Sequence, residues 1–468
     1  MPRMRFPDLL ATKFGRMAAF FLLYVTEGIP LGFTATAVAT QMRRQGIGPA
    51  EIGAFVASLY VPWAFKWAVG PIVDTLTVSR FGRRRFWIIL TQLMMIATLM
   101  IAMRVDFVHQ IKLFTTIIFI HNLFGATQDV AIDALAVNVL PEDERGTANG
   151  FMFSGAYVGQ AIGGSVVLLL TPWMGFQNTF YVVCGWIACV TLFVALPLRE
   201  PSSPSLASAA GSALAQAGRQ IVTFVVDAAR AFVGTRAALV GVLFAILPGG
   251  AYALGLALQS NLCVELGMND TQVGLINLWS TIISAVFCVV GGWLSDRFGR
   301  RGTLAWTMAA TGIPTLMLAW SMQQHGWLHV IAPDAPNRPA VPPALLQMFW
   351  ATVLVYNVFQ GLFYGIRSAL FMDVTTPRVA ATQFTAYMAL MNWAIAYTAR
   401  WQGWAVENWG YPLTLTADAL FGLVCLACLP FMRPPAKPSA PSGKPAEETA
   451  ALPSPQAAGL GVPEAISP

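Results

Sequence analysis

Gly292-Trp293-Leu294-Ser295-Asp296-Arg297-Phe298-Gly299-Arg300-Arg301 decides how the whole chain is read, because it occurs twice. The earlier copy is Gly70-Pro71-Ile72-Val73-Asp74, then five further residues, then Arg80-Phe81-Gly82-Arg83-Arg84. In each copy an apolar run ends in Gly-x-x-x-Asp, and an arginine cluster precedes the next apolar run. A bias of Lys and Arg toward one side of a membrane would explain the arginines alone. It would not place an Asp and the glycines at the same spacing twice. Glycine permits a tight turn and close helix approach. Asp74 and Asp296 are expected at helix ends. There each can hold arginines (Arg80, Arg83, Arg84; Arg297, Arg300, Arg301) across an interface between two halves, as a conformational gate.

Outward from the repeat, the apolar runs are long. A hydrocarbon core about 30 Å thick takes about 20 apolar helical residues to cross. Twelve segments meet this, at about 16–40, 50–73, 86–103, 112–138, 147–171, 176–198, 238–260, 271–294, 302–321, 344–371, 379–404 and 411–432. The 468 residues include only 28 Lys and Arg and 22 Asp and Glu, and 56% are hydrophobic. That composition excludes a soluble enzyme, a nucleic-acid binder and a disordered chain. The expected fold class is an all-α polytopic membrane protein, with twelve transmembrane helices in two six-helix bundles. The basic stretch Met1 to Arg16 has no small-residue cleavage site before the first span and reads as a retained helix.

The expected division is 1–198 for the first bundle, 199–237 for a cytoplasmic linker, 238–432 for the second bundle and 433–468 for a disordered tail rich in Pro, Ala and Ser. The linker opens with Pro201-Ser202-Ser203-Pro204-Ser205. Within it, Ile221 to Phe232 alternates apolar and charged positions, as in a helix lying on the membrane surface. With the N-terminus inside, 20 Lys and Arg fall in inner segments and five in outer ones (Arg43, Arg44, Arg104, Lys112, Arg338). This distribution predicts an inner-membrane protein with both termini cytoplasmic.

Polar residues inside spans are functional hypotheses by default, since a charge at the bilayer centre costs about 2.5–3.5 kcal/mol on insertion scales. The first span carries Glu27-Gly28-Ile29-Pro30, a predicted break in the helix beside an acid. The fourth carries Asn122, Ala126, Asp129 and Asp133 on one stripe, with Gln128 beside it. Two carboxylates one turn apart repel when both are charged, which suits a proton carrier. Lys66 in the second span and Asp133 lie at matching depths, about eight residues from their cytoplasmic ends. They are expected to pair, with Asp129 as the titrating partner. In the second half, Tyr356, Gln360, Tyr364 and Arg367 form a stripe, and Gln383, Tyr387 and Asn392 follow in the next span. Aromatics, amides and Arg suit a sugar-like or peptidic anion. Trp401, Trp404 and Trp409 read as an interfacial belt. The six cysteines read as packed thiols. Cys425 and Cys428 lack the second pair or His of a metal site. No cofactor or metal is expected.

The doubled loop resembles the signature of the major facilitator superfamily, Gly-x-x-x-Asp-Arg-x-Gly-Arg-Arg, over roughly residues 15–432. The resemblance implies two six-helix bundles around a central cavity open alternately to each side. Phe65-Lys66-Trp67 with Gly70-Pro71 and Asp74 is similar to motifs of its AmpG-type branch. So are Ala126-Thr127-Gln128-Asp129-Val130-Ala131-Ile132-Asp133-Ala134, Val139-Leu140-Pro141, Glu144-Arg145-Gly146 and Ala381-Thr382-Gln383-Phe384. Gly28-Ile29-Pro30-Leu31-Gly32 resembles a turn shared with acetyl-coenzyme A transporters. This branch implies proton-coupled import of cell-wall muropeptides, with a siderophore or acyl-coenzyme A permease as the alternative.

The leading expectation is a monomeric proton-coupled secondary transporter of a small organic solute, working in the lipid bilayer without nucleic acid. No Gly-x-x-x-x-Gly-Lys-Ser/Thr segment is present to cradle ATP phosphates. A membrane-embedded transferase would need a catalytic constellation that four scattered histidines (His109, His121, His325, His329) do not supply. A receptor would lack a soluble signalling domain.

Overall fold

The computed structural model describes residues 8–75, 82–141, 144–200, 210–333, 335–336, 338–375 and 380–432. The expected tail 433–468, the linker start at 201–209, Arg80 and the side chains of Asp74 and Arg83 lie outside them. Helical segments follow one another as span 1 (Lys13–Arg44), span 2 (Pro49–Ala64 and Lys66–Thr75), span 3 (Arg83–Ala102), span 4 (Ile111–Val139), span 5 (Arg145–Gln160, Ala161–Val166, Val167–Met174) and span 6 (Phe176–Ala195). A linker helix covers Ala210–Gly234. Then come span 7 (Arg236–Ile246 and Ala257–Glu265), span 8 (Asp270–Phe298), span 9 (Arg300–Gln324), span 10 (Pro343–Val374), span 11 (Ala380–Trp409) and span 12 (Tyr411–Phe431).

Seven of these helices are long and apolar enough to cross a membrane, or nine if each bent pair counts as one span. Span 2 is one such pair, bent by 43° between Ala64 and Lys66. The other bends by 112° where the linker helix meets span 7. Spans 4, 9 and 11 carry more polar residues, and span 7 is interrupted by the non-helical stretch 247–256. The sequence predicts span 7 as continuous over 238–260. Pro248, Gly249 and Gly250, the last at φ +78°, end its first helix, and a buried acceptor described below satisfies the freed amides. The linker helix is longer than the predicted 221–232, since the alanine-rich segment from Ala210 supplies the best helix former.

Both copies of the repeated loop turn on a glycine with positive φ, Gly82 at +82° and Gly299 at +90°. Elsewhere glycine serves close packing. Gly28 and Gly32 on span 1 lie against the backbone of Ala156 and Gln160, and Gly155, Gly159 and Gly163 on span 5 lie against the backbone of Phe21, Val25 and Ile29. A Cβ at any of these would overlap main-chain atoms. This small-residue seam is how helices associate where lipid offers no hydrophobic drive. It also explains why the predicted break at Glu27-Gly28-Ile29-Pro30 does not occur. Gly28 is there for span 5, the α-helix continues to Gly32, and the hydrogen-bond register changes only in the π-helical turn Phe33–Val38. A second seam joins the halves: Gly53 on span 2 meets the backbone of Ala399, and Gly403 on span 11 meets that of Pro49.

Overpacking a tight interior costs about 1–3 kcal/mol or more. Gly159→Leu should therefore lower the melting temperature of the purified protein by several degrees. Gly185→Leu, at a position with open space around it, should leave it unchanged in the same thermal scan.

Candidate functional site

The polar face of span 4 builds the first part of the site. Asp129 and Asp133, one turn apart, point at spans 1 and 2. Lys66 Nζ lies 2.8 Å from Asp129 Oδ2, with the Asp129 side chain only 4% exposed. Asp133 Oδ1 accepts a 2.5 Å hydrogen bond from the Tyr24 hydroxyl. Glu27 on span 1 faces the Asp129 carboxylate, and its Oε2 is buried without a hydrogen-bond partner. The expected Lys66–Asp133 pair is thus corrected. Depth-matching assumed a straight span 2, but Lys66 follows the bend after Pro62, where Phe65 N bonds Pro62 O at 3.1 Å. Lys66 then meets Asp129, and Tyr24 takes Asp133. Three carboxyls and one ammonium share this volume, so full ionisation would leave two negative charges uncompensated in a poorly polarisable medium.

Beside this cluster the predicted amides serve the framework. Gln128 Nε2 donates to Thr26 Oγ1 at 2.9 Å, and Gln92 Nε2 reaches the same oxygen at 3.2 Å. Thr191 closes the chain onto Gln92 Oε1 at 2.7 Å. Asn122 bonds back to Ile118 O at 2.9 Å within its own helix. His121 is buried between Thr98 Oγ1 at 3.0 Å and Met95 O at 3.2 Å.

A cavity of about 180 Å³ lies between the halves. From spans 1, 2 and 5 it receives Thr36, Tyr60 and Gln160, and from spans 7, 8 and 10 it receives Gln259, Asn277, Ser280 and Gln360. Its lining is polar but carries no charged side chain. Gln259 Nε2 and Ser280 Oγ are buried there without partners, so donors and acceptors are available for hydroxyl or amide groups of a ligand. Of the predicted substrate residues, Gln360 lines this cavity. Tyr356 donates to Ala251 O at 2.9 Å and so supports the interrupted span 7. Tyr387 donates to Ala238 O at 3.0 Å and stacks on Phe371 at 4.7 Å. Gln383 is buried 3.4 Å from the Tyr387 hydroxyl, and Asn392 is half-buried. The sequence reading missed Gln259, Asn277 and Ser280. A signal existed for the last two: Asn277, Ser280, Thr281 and Ser284 form a polar stripe at helical spacing on an otherwise apolar span.

The interruption of span 7 is held by Asp418, a buried residue of span 12 that the sequence reading did not single out. Its Oδ2 accepts from the amides of Tyr252 at 2.8 Å and Ala253 at 2.9 Å, while Gln402 Nε2 donates to Oδ1 at 2.7 Å. Thr311 Oγ1 accepts from Ala251 N at 2.9 Å. Broken backbone within a membrane survives only where such partners replace the helix ladder.

Ion pairs at the two ends of the bundle differ in kind. At the end bearing the loop between spans 1 and 2, they cross between halves. Arg43 meets Glu265 at 2.6 Å, both almost completely buried, and Arg44 meets Asp270 at 2.6 Å. Glu265 also accepts from Ile331 N at 2.9 Å and the Tyr411 hydroxyl at 3.1 Å. At the opposite end the named pairs stay within a half. Arg16 pairs with Glu144 at 2.7 Å, Arg84 lies 3.8 Å from Glu200, and Arg300 meets Asp373 at 2.5 Å. Asp296, predicted to hold arginines of the other half, is instead exposed and lies 3.6 Å from Arg300 one turn on. Arg297 lies over its neighbour Trp293, and Arg301 is exposed. Span 8 simply ends on the solvent side of the interface. Among the described residues the arginines paired across the halves are Arg43 and Arg44, which the sequence places among the outer-loop charges.

Removing one member of a buried ion pair costs about 3–5 kcal/mol, because the other charge is left unpaired. Lys66→Ala should therefore lose folded yield and thermal stability, and Asp129→Ala in the same chain should recover much of the loss. Combination with Asp133→Ala should recover little; equal recovery by both would contradict the observed pairing. By the same physics, Glu265→Ala should destabilise more than Arg43→Ala with Glu265→Ala, as read by thermal unfolding of the three purified proteins.

Comparison with known proteins fits this geometry. The sequence profile of the Major Facilitator Superfamily matches residues 17–257 and 238–462. The Anhydromuropeptide permease of Escherichia coli (strain K12) is 27% identical over 424 residues, covering 88% of this chain and 79% of that protein. The Putative transporter AmpG 4 of Rickettsia conorii is 28% identical over 319 residues, 66% of this chain and 74% of that one. Among solved structures, a mutant of the nucleoside transporter NupG superposes with a TM-score of 0.66 at 15% identity, covering 89% of this chain and 99% of that chain. A D-xylose-proton symporter gives 0.64 at 14% identity, covering 89% and 97%. The chain belongs to the Major Facilitator Superfamily, and is a multi-pass membrane transporter rather than an enzyme.

Proposed function

We propose that the protein is a proton-coupled importer of an organic solute, with cell-wall muropeptides as the favoured substrate class. The observation that carries this reading is the cluster of Glu27, Asp129 and Asp133 around the single cation Lys66. Lys66 neutralises Asp129 directly. A proton taken up by Glu27 or Asp133 removes the excess negative charge, so the protonated and unprotonated site favour different packing of spans 1, 2 and 4. A charge change in low dielectric is large enough to bias a two-state equilibrium of this kind. The similarity to the Escherichia coli anhydromuropeptide permease supports the substrate class.

The distribution of Lys and Arg supports an inner-membrane orientation with both termini cytoplasmic. In that orientation Arg43–Glu265 and Arg44–Asp270 close the periplasmic end, and the chain is inward-facing. The division into two bundles, a linker and a tail, and a monomeric state, belong to the same reading. The linker helix then lies at the cytoplasmic face. Its Phe224 stacks on Trp67 of the first half at 5.2 Å and its Phe232 packs on Tyr387 of the second at 5.1 Å, so it touches both moving parts.

Uptake into proteoliposomes tests the reading, with labelled anhydromuropeptide, acetyl-coenzyme A and a ferric siderophore, each with and without an acid-outside gradient. Anhydromuropeptide should accumulate, and only with the gradient. Asp133→Asn should abolish accumulation while leaving counterflow exchange of labelled for unlabelled solute, because only the proton step is lost. Accumulation indifferent to the gradient, or unimpaired in Asp133→Asn, would reject proton coupling through this cluster.

A further inference from the structure

We propose that Arg367 is the receptor for a carboxylate on the transported solute, set about two helical turns from the neutral cavity. This deepens the proposed function, since it rests on the cavity between the halves being the solute's route.

Two arginines are equally buried, each 2% exposed. Arg43 has Glu265 at 2.6 Å and a carbonyl of Ile331 at 2.9 Å. Arg367 has neither kind of partner. Its Nη1 donates to the neutral hydroxyl of Tyr252 at 2.7 Å, and its guanidinium lies 5.7 Å from the ring centre of Phe244. Nε and Nη2 are buried with no hydrogen-bond partner, and among the described residues Arg367 makes no ion pair. A buried guanidinium stays charged, so it needs an anion or a set of acceptors. The two unsatisfied nitrogens are neighbours on one edge of the guanidinium. That edge presents two parallel N–H groups, which match the two oxygens of a carboxylate.

The surroundings are built around this group. Gly249, in the interrupted stretch of span 7, has no Cβ where one would come within 2.8 Å of Nη1. Tyr252, the group now bonded to Arg367, belongs to the same non-helical stretch. Its hydroxyl takes only Nη1 and leaves the Nε and Nη2 edge without a partner. Along span 10, Gln360 lines the cavity, Tyr364 is 43% exposed one turn on, and Arg367 completes the stripe. Seven residues of helix separate Gln360 from Arg367 by about 10 Å on one face. The cavity itself offers only neutral amides and hydroxyls. The pair of subsites therefore fits a solute that carries a carboxylate beside an uncharged hydroxyl- or amide-bearing part. A neutral sugar or nucleoside would leave Arg367 unanswered.

Binding to the purified full-length protein, measured with no pH gradient, separates this inference from proton coupling. The probes are N-acetylmuramic acid and N-acetylglucosamine, which differ by a lactyl carboxylate. Thermal-shift titration of the wild type should show the acid binding about tenfold tighter than the neutral sugar. In Arg367→Gln the two affinities should converge to within about twofold. Gly249→Val, which keeps the arginine but crowds it, should also narrow the ratio. If Arg367→Gln does not fold, Arg367→Lys serves. It keeps the charge, loses the two-pronged edge, and should show an intermediate ratio. An unchanged ratio in these variants, an equal loss of both ligands, or no preference for the acid in the wild type would overturn the proposal. A preserved preference alongside gradient-independent uptake would sink proton coupling and leave the carboxylate site standing.

Discussion

A charged side chain in hydrocarbon has to be met by another charge or by a ring of polar partners, and most of this molecule's architecture follows from how it meets five of them. Lys66 is met by Asp129 within the first half. Arg43 is met by Glu265 across the two halves. Asp418 is met by two main-chain amides and an amide side chain, and so holds open the interruption in span 7. Each of these charges has its partner, although Arg43 Nε itself makes no hydrogen bond. Glu27 and Arg367 are incomplete, with buried polar atoms that no neighbour satisfies. One incomplete group is an acid and the other a base. They lie in opposite halves, on spans 1 and 10.

The two ends of the bundle carry the same chemistry in different arrangements. Among the described residues, arginine–carboxylate pairs join the halves at one end, and the pairs named at the other lie within a half. The glycine seam between spans 2 and 11 brings the backbones of the halves into direct contact on the cross-linked side. Contacts of main chain on main chain leave few side chains to reorganise when one rigid body tilts against another. This is the mechanical counterpart of a cavity lined by residues from both halves.

Much of this was legible in the chain. The doubled Gly-x-x-x-Asp loop implied a chain of two halves, and both copies do carry a glycine with positive φ. The stripe on span 4 put Asp129 and Asp133 on one face, and depth-matching brought Lys66 to it. Glu27 was read apart from them, as an acid beside a break in span 1. The choice of partner was not legible, because it depends on a bend after Pro62 that shifts Lys66 off a straight helix. Gln128 and Asn122 share the charged helix but point into its framework, a distinction that periodicity alone does not make. Long-range partners were the hardest to read. Nothing local to Arg43 announces Glu265, which is 222 residues away. Asp418 sits in an apolar span whose hydropathy conceals it, and its role appears only once Pro248 and Gly249 have broken the helix it supports.

The central claim is that the acidic cluster moves a proton with each solute. It is tested most directly by watching the proton itself, using proteoliposomes loaded with a pH-sensitive dye and no imposed gradient. Adding anhydromuropeptide outside should acidify the lumen in step with solute entry. Solute entering while the lumen pH stays constant would contradict the account.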